Sequence, residues 1–469
     1  MNEALFSIKD FILFPVYLLI IFYAANQTKN NNIEENPLYK YYTKGLMLKL
    51  AGGMLVCFIY LFYYGVGDTI GFYKSASLLA RLGFVNQETF FSVMGGNLSN
   101  LNLLRFIEND LCCPDYYRDP QSFMVVRIAA PLVLFSGLSF FGTTLFFAWL
   151  SYAGVWRLFL VFNEVYPGLE KKLAISILYM PSVLFWGSAI LKDTITFSAA
   201  CWVTVCIYYI FIKQKQRTKY FIYLIISSFF LISIKPYIFV ALLPGATIWI
   251  LYARITSIQS GFFRLLISPA IIAVGLFGSS AILSALGSKL GSFASVDTAI
   301  DKAIVTKNDL TRDAYGENSF DIGEIDGSIG SIITKFPAAL TAGLFRPFLW
   351  DVRNPVMLLS ALENMVMLLL TLRILFSMGP FKFFGSISKE PLLIFSFVFS
   401  VFFSFSVGLS TANFGALVRY KIPSIPFFMS LLLILDDKRK SKAAPFSLAE
   451  ETNKDELTSN PNHVSISAQ

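Results

Sequence analysis

Asp68 stands where an apolar run gives out, in "LFYYGVGDTIGFYKSASLLARLGF" (Leu61–Phe84). A carboxylate at a membrane edge has two uses. After Gly67 it can cap a helix that begins at Thr69. Partly desolvated, it can instead act as a general base or a metal-binding acid, because burial moves its pKa toward a useful range. A second constellation lies in "YMPSVLFWGSAILKDTITF" (Tyr179–Phe197). Pro181 and the Trp186-Gly187-Ser188 turn interrupt the apolar pattern, and Lys192 and Asp193 open a new helix. Asp193 is then a first-turn acid favoured by the helix dipole, with Lys192 as an interfacial anchor. The alternative is an anion site, in which the helix N-terminus and Lys192 receive a lipid-linked phosphate.

Further cations recur at similar places. Lys235 lies in "SIKPYIFVALLPG", and Arg346 and Arg353 flank Trp350 and Asp351 in "GLFRPFLWDVRNP". Arg419, Tyr420 and Lys421 lie in "NFGALVRYKIPSIPF". Each basic residue alone reads as a snorkelling anchor. Their convergence reads differently. Lys192, Lys235, Arg346 and Arg419 fall on the same side of the membrane as Asp68, against the usual inward bias of Lys and Arg, and an anionic lipid headgroup is the simplest reason for them. Glu363, inside "PVMLLSALENMVMLLL", is expensive in an apolar span and reads as a structural pair or hydrogen-bond partner. The acids of the loop before Ser328, Asp297 and Asp301 among them, read as a solvated face, with weak divalent-ion binding as the alternative.

The elements that must position these residues are membrane helices. The chain has 469 residues, 55% of them hydrophobic and only 14% charged, with a mean hydropathy of +0.62. That composition belongs to a polytopic membrane protein. Apolar segments number about eleven to thirteen by the length a span requires. The fold class expected is therefore all-α: a transmembrane helical bundle over residues 1–435 with two long outer loops, at 65–121 and 287–331. Residues 436–469 read as a polar, disordered cytoplasmic tail. The N-terminal apolar run lacks a basic leader and a small-residue cleavage site, and reads as a first span. The net charge of +8 reflects cytoplasmic loops, not nucleic-acid binding.

Orientation follows from the basic connections "KQKQRTK" (213–219) and "DDKRKSK" (436–442), which belong in the cytoplasm. Counting back puts Asp193 outside, and Lys29, Lys40 and Lys44 favour a cytoplasmic loop between the first two spans, which puts Asp68 outside as well, so an even number of crossings must separate them. Candidate segments are 122–138, 140–162 and 173–188. The last is short and broken by Pro181, and is expected to be re-entrant. The only histidine is His463, which excludes a His-based metal site or a Ser-His-Asp triad in this chain alone. Cys57, Cys201 and Cys206 lie in apolar runs and read as small core residues. The adjacent Cys112 and Cys113 are expected as separate thiols, since a vicinal disulfide is strained.

These segments together carry a resemblance. "YYGVGDTIGFYKSASLLA" resembles the Gly-Asp…Tyr segment that follows an early span in multi-pass glycosyltransferases of the GT-C superfamily, especially bacterial relatives of family 39. "PSVLFWGSAILKD" is similar to their Pro-Ser…Phe-Trp…Lys-Asp/Glu segment, and "VRYKIPSIPF" to their Arg-Tyr-x-x-Pro-x-x-Pro element. The resemblance implies an enzyme of the bacterial inner membrane that works in cell-envelope polysaccharide or glycolipid synthesis. It would move a sugar from a polyprenyl-phosphate-linked donor to a glycan or lipid acceptor at the outer face. Asp68 would be the catalytic base. Arg419 and Lys192 would hold the donor phosphate, with Asp193, Lys235, Arg346 and Tyr420 as further donor-site candidates. No cofactor and no nucleic acid are implied. The chain has no second acid paired with position 68, where better-defined members carry one, so a divalent cation stays open. The segment "FRPFLW" suits an alternative, an oligosaccharide repeat-unit polymerase or ligase whose key residues are arginines. A transporter of lipid-linked oligosaccharides is a third reading.

Overall fold

The computed structural model describes residues 8–255, 295–310, 319–324 and 328–443. The apolar segment at 262–286 and the tail from 444 lie outside the described residues, as do three further acids of the second long loop, Asp313, Glu317 and Asp326. The described residues form an all-α bundle of an integral, multi-pass membrane protein, without strands. Its backbone obeys the rule that polar groups in lipid must be satisfied within the helix.

Tracing the contacts gives the bundle two distinct ends. Helix α1 (Ile8–Asn32) starts at the end that carries Asp68, where Ser139 donates to Asp10 at 2.5 Å. It finishes at the opposite end, where Thr43 donates to Asn26 at 3.2 Å. Helix α2 (Tyr42–Ile59) returns, continues through a wide turn at Tyr60–Tyr64 and stops at Gly65. Helices α3 (Asp68–Val85), α4 (Gln87–Met94) and α5 (Asn100–Glu108) then occupy the first long loop. Cys112 and Cys113, in the turn after α5, are joined as a vicinal disulfide, which corrects the expectation of separate thiols.

The question of parity is settled by α6 (Pro120–Phe135). With 16 residues it is shorter than a span of about 20. Both its ends stay near Asp68. Asp119, its N-cap, pairs with Lys192, and Leu138 just beyond its C-terminus accepts from Tyr73. Helix α7 (Phe140–Val165) then crosses to the far end, where Tyr152 donates to the carbonyl of Tyr42 at 3.0 Å. The next segment crosses back, contrary to expectation. It comprises α8 (Glu170–Leu173), a wide turn at Ala174–Leu178 and α9 (Pro181–Trp186). Tyr179 lies under Lys44 at 5.4 Å, whereas Asp193 reaches the Asp68 end. So the stretch 173–188 is a broken crossing, and 122–138 is the segment that does not cross. Pro181 breaks the helix without turning the chain around, because the freed backbone groups find buried partners: Glu363 accepts from Ser182 N–H at 2.9 Å and from its hydroxyl at 2.5 Å.

The remaining passages are more regular. Helix α10 (Lys192–Ile207) leads away from the Asp68 end, α11 (Arg217–Ile234) returns to it, and α12 (Pro236–Ile255) leaves again. In the second loop, α13 (Val296–Leu310) carries Asp297 and Asp301. Phe320 N–H donates to Ala412 O at 2.8 Å and clips residues 319–324 to the bundle. Helix α14 (Ile329–Phe345) packs antiparallel on α17 (Pro391–Ser410). Their backbones touch through glycine: a Cβ on Gly343 would sit 1.9 Å from Ser404 O, and one on Gly408 1.9 Å from Ala339 O. Helix α15 (Pro355–Met378), the short α16 (Pro380–Ile387), α18 (Phe414–Tyr420) and α19 (Ile425–Ala443) complete the fold.

Among the described residues, seven helices are long and apolar enough to cross a membrane, or eight with the bent pair α18–α19. The sequence suggests more because apolarity does not separate full spans from short or broken ones such as α6 and α9. The polar stretch from Asp436, expected to start a tail, is helical as far as Ala443. Ion pairs hold it there. Asp436 meets Arg439 and Lys440 one turn on, and Asp437 meets Lys172 at 2.6 Å.

Candidate functional site

Gly67 begins the site. Its φ of +138° is one that side chains rarely adopt, and a Cβ there would sit 2.2 Å from the Tyr60 ring. This turn throws the first residue of α3 back over the end of α2. That residue is Asp68, and it does not cap its own helix. Its carboxylate accepts from Arg419 Nη1 at 2.9 Å and from the Tyr116 hydroxyl at 3.0 Å. Arg419 comes from α18, whose N-terminus is fixed by the Asn413 side chain accepting from Gly415 N–H at 2.8 Å. The other Arg419 terminal nitrogen, Nη2, reaches Asp193 at 3.2 Å, in the first turn of α10. Asp193 in turn accepts from Lys235 at 2.5 Å, at the junction of α11 and α12. Lys235 lies 4.6 Å from the centre of the Tyr420 ring, and the Arg419 guanidinium 5.6 Å from that of Trp186.

Elements far apart in sequence are thus tied at one end of the bundle by an alternating chain of charge: Asp68, Arg419, Asp193, Lys235. Burial grades along it. The Asp193 side chain is 1% exposed, Lys235 7%, Arg419 17% and Asp68 39%. Asp193 is therefore the inner anchor and Asp68 the outward face. Burial pulls the Asp68 carboxyl up, but the guanidinium of Arg419 and the Tyr116 hydroxyl outweigh it and hold Asp68 below the ordinary carboxylate range. Tyr116 is pushed up by burial and by the neighbouring Asp68, so it remains a hydrogen-bond donor at any physiological pH.

The other candidate residues fall beside this chain. Lys192, next to Asp193 in sequence, turns outward to Asp119 at 3.5 Å. Arg346 is held elsewhere. Its Nε and Nη2 donate to the two oxygens of Asp351 at 3.0 and 2.9 Å, and its guanidinium lies beside the stacked rings of Phe320 and Phe414, 5.1 Å from each centre. Lys421 is buried and donates to Asn364 at 2.6 Å and to the carbonyl of Arg346 at 2.9 Å, which secures the turn bearing Arg346. Of the residues singled out in the sequence, Asp68, Asp193, Lys235, Arg419 and Tyr420 come together. Lys192 stands at the edge, and Arg346 makes its contacts in a neighbouring clamp.

Sequence reasoning expected the cations here to be in surplus. Instead each has an acid: Asp68 and Asp193 for Arg419, Asp193 for Lys235, Asp119 for Lys192 and Asp351 for Arg346. Tyr116 and Asp119 carried no distinguishing signal in the sequence. Only Asp351 lies close enough to its partner, five positions away, to have been paired by inspection. Among the described residues, no group of three or more His, Cys, Asp or Glu gathers where an ion would be held. No protein-family model, curated protein or solved structure matches the chain.

Proposed function

We propose that the chain is a membrane glycosyltransferase that moves a sugar from a polyprenyl-phosphate-linked donor to a hydroxyl acceptor at the outer face of its membrane. The observation that carries this reading is the Arg419 bridge between a buried acid, Asp193, and a half-exposed acid, Asp68. A transferase of this kind needs a cation for the departing phosphate and a carboxylate for the incoming hydroxyl. Both are present side by side where a lipid-borne donor and a water-borne acceptor could meet. The basic connections at Lys213–Lys219 and from Asp436 lie at the opposite end, which by the usual bias is cytoplasmic.

In the reaction, the acceptor oxygen bonds to the anomeric carbon while Asp68 takes the hydroxyl proton. The bond from that carbon to the phosphate oxygen breaks, and its electron pair leaves with the phosphate. Arg419 stabilises the charge that develops there, and Asp193 with Lys235 positions Arg419. Asp193, the nearby acid, is buried behind Arg419 with Lys235, so Asp68 is the carboxylate that acts on the acceptor in this scheme.

The test is transfer from radiolabelled polyprenyl-phosphate sugars by the purified full chain, wild type against Asp68→Asn. Loss of a general base should cost about 10²–10⁴-fold in rate. Turnover by the variant equal to wild type would remove the proposed base, leaving the charge chain as a device that ties helices together.

A further inference from the structure

Arg419 already carries an acid on each terminal nitrogen, so an anionic headgroup that takes one of those nitrogens competes with its acid. The two are not equivalent. Asp193 is sealed in the bundle with Lys235 on its other oxygen, and pulling Arg419 from it would strand buried charges. Asp68 is 39% exposed, and an ion pair with that much water around it contributes little. When Arg419 leaves, Asp68 keeps the Tyr116 hydroxyl and gains water. Arg419 also has capacity to spare, since its Nε is buried and has no hydrogen-bond partner.

We propose that an anionic headgroup, a phosphate ester, enters by exchange: it displaces Asp68 from Arg419 Nη1 while Asp193 keeps hold of Nη2, and Asp68 is released as a free carboxylate. The proposal rests on the reading of this site given above and adds an order of events. The anion comes first, and its arrival creates the base. Before it binds, Asp68 is masked by its own cation, so water or a stray hydroxyl meets a weak base. Asp68 is thus a competitor for the site as well as its reactive group.

This makes an unusual demand on binding. Removing the charge at position 68 should tighten anion binding, although it abolishes the proposed chemistry. The probe is farnesyl phosphate, titrated into the purified full chain in nanodiscs and followed by the fluorescence of Trp186, 5.6 Å from Arg419, with Trp186→Phe as the spectral control. Asp68→Asn is expected to bind about fivefold more tightly than wild type, the worth of an exposed pair. Asp68→Ala serves the same purpose should the amide variant fold poorly. Arg419→Gln should lose binding. Farnesol tests whether the isoprenoid alone suffices, and inorganic phosphate whether the headgroup alone does. Binding of farnesol as tight as the phosphate, or Asp68 variants that bind the phosphate no tighter than wild type, would overturn the exchange. Tightening in a protein that transfers no sugar would uphold the exchange and remove the transferase reading, so the two fail separately.

Discussion

Arg419 and Asp68, 351 positions apart in the chain, meet at 2.9 Å across the end of the bundle, and the same guanidinium holds Asp193 behind it. One side chain thereby couples the helix that opens the first long loop to the last bent span. Its two acids differ chiefly in how much water each sees, and most of what the site is expected to do follows from that difference.

The first consequence concerns stability. Asp193→Asn leaves Lys235 and Arg419 facing an amide in a buried place, and should destabilise the bundle by about 3–5 kcal/mol. Asp68→Asn removes a half-exposed partner from the same arginine and should cost no more than about 1 kcal/mol. Thermal unfolding of the purified variants in detergent checks the order. Equal losses would mean that the gradient of burial along the charge chain has no energetic meaning.

A second expectation concerns pH. Asp68 is faced by Arg419, Tyr116, Asp193, Tyr60 and Lys192, and the balance holds its carboxyl below the ordinary value of 3.8. A depressed carboxyl stabilises the fold at pH above its unfolded value, and that contribution is lost as pH falls through the folded one. Stability owed to this pair is therefore constant through neutral pH and lost only in the acid range below about pH 4. Activity should separate further. The acidic limb of kcat/KM for the donor reports the resting protein, with Asp68 under Arg419, whereas that of kcat reports the donor complex. If the donor takes the arginine, the kcat limb lies at higher pH. Superimposed limbs would indicate that Asp68 stays paired throughout the cycle.

Arg346 supplies a third expectation, because it separates the transferase from a polymerase that relies on arginines. Its fork is spent on Asp351, whose carboxyl is raised by burial but held below the ordinary range by that guanidinium and by Phe348 N–H. Lysine cannot reproduce the two parallel bonds or the guanidinium's contact with the Phe320 and Phe414 rings. Arg346→Lys should lower thermal stability by about 1–3 kcal/mol and leave the affinity for farnesyl phosphate unchanged. A loss of affinity as large as that of Arg419→Gln would move the anion site to the Phe320–Phe414 clamp.

Much of this architecture is legible in the sequence for a physical reason: lipid demands long apolar helices, and composition alone reports them. The placement of Asp68, Asp193, Lys235 and Arg419 at one end follows from counting spans between basic loops. What the count misses is the role of short elements. A 16-residue helix such as α6 and a broken passage such as that at Pro181–Trp186 are both apolar, and only their contacts tell which one crosses. Charge pairing is hidden for another reason. Asp119 and Lys192 are 73 positions apart, and nothing local marks them as partners. Reading cations without their acids made the site look more positive than it is.

The last expectation tests how rigidly the frame holds the site. Helices α14 and α17 touch backbone to backbone at Gly343 and Gly408, where an added methyl group would meet carbonyl oxygens at 1.9 Å. Backbone cannot yield as the tip of a flexible side chain does, so Gly408→Ala must push the helices apart. Overpacking of this kind costs about 1–3 kcal/mol or more. The displacement would reach both neighbours of the site, since α14 runs into Arg346 and α17 into Asn413, the cap of the helix bearing Arg419. Gly408→Ala should therefore lower the unfolding temperature and also weaken farnesyl phosphate binding, although residue 408 touches none of the charged groups. Leu409→Ala, one position away and also buried, removes volume without forcing the backbones apart. It should cost stability and leave binding intact. Binding lost equally in both variants would show that general destabilisation, not the spacing of α14 and α17, governs the site.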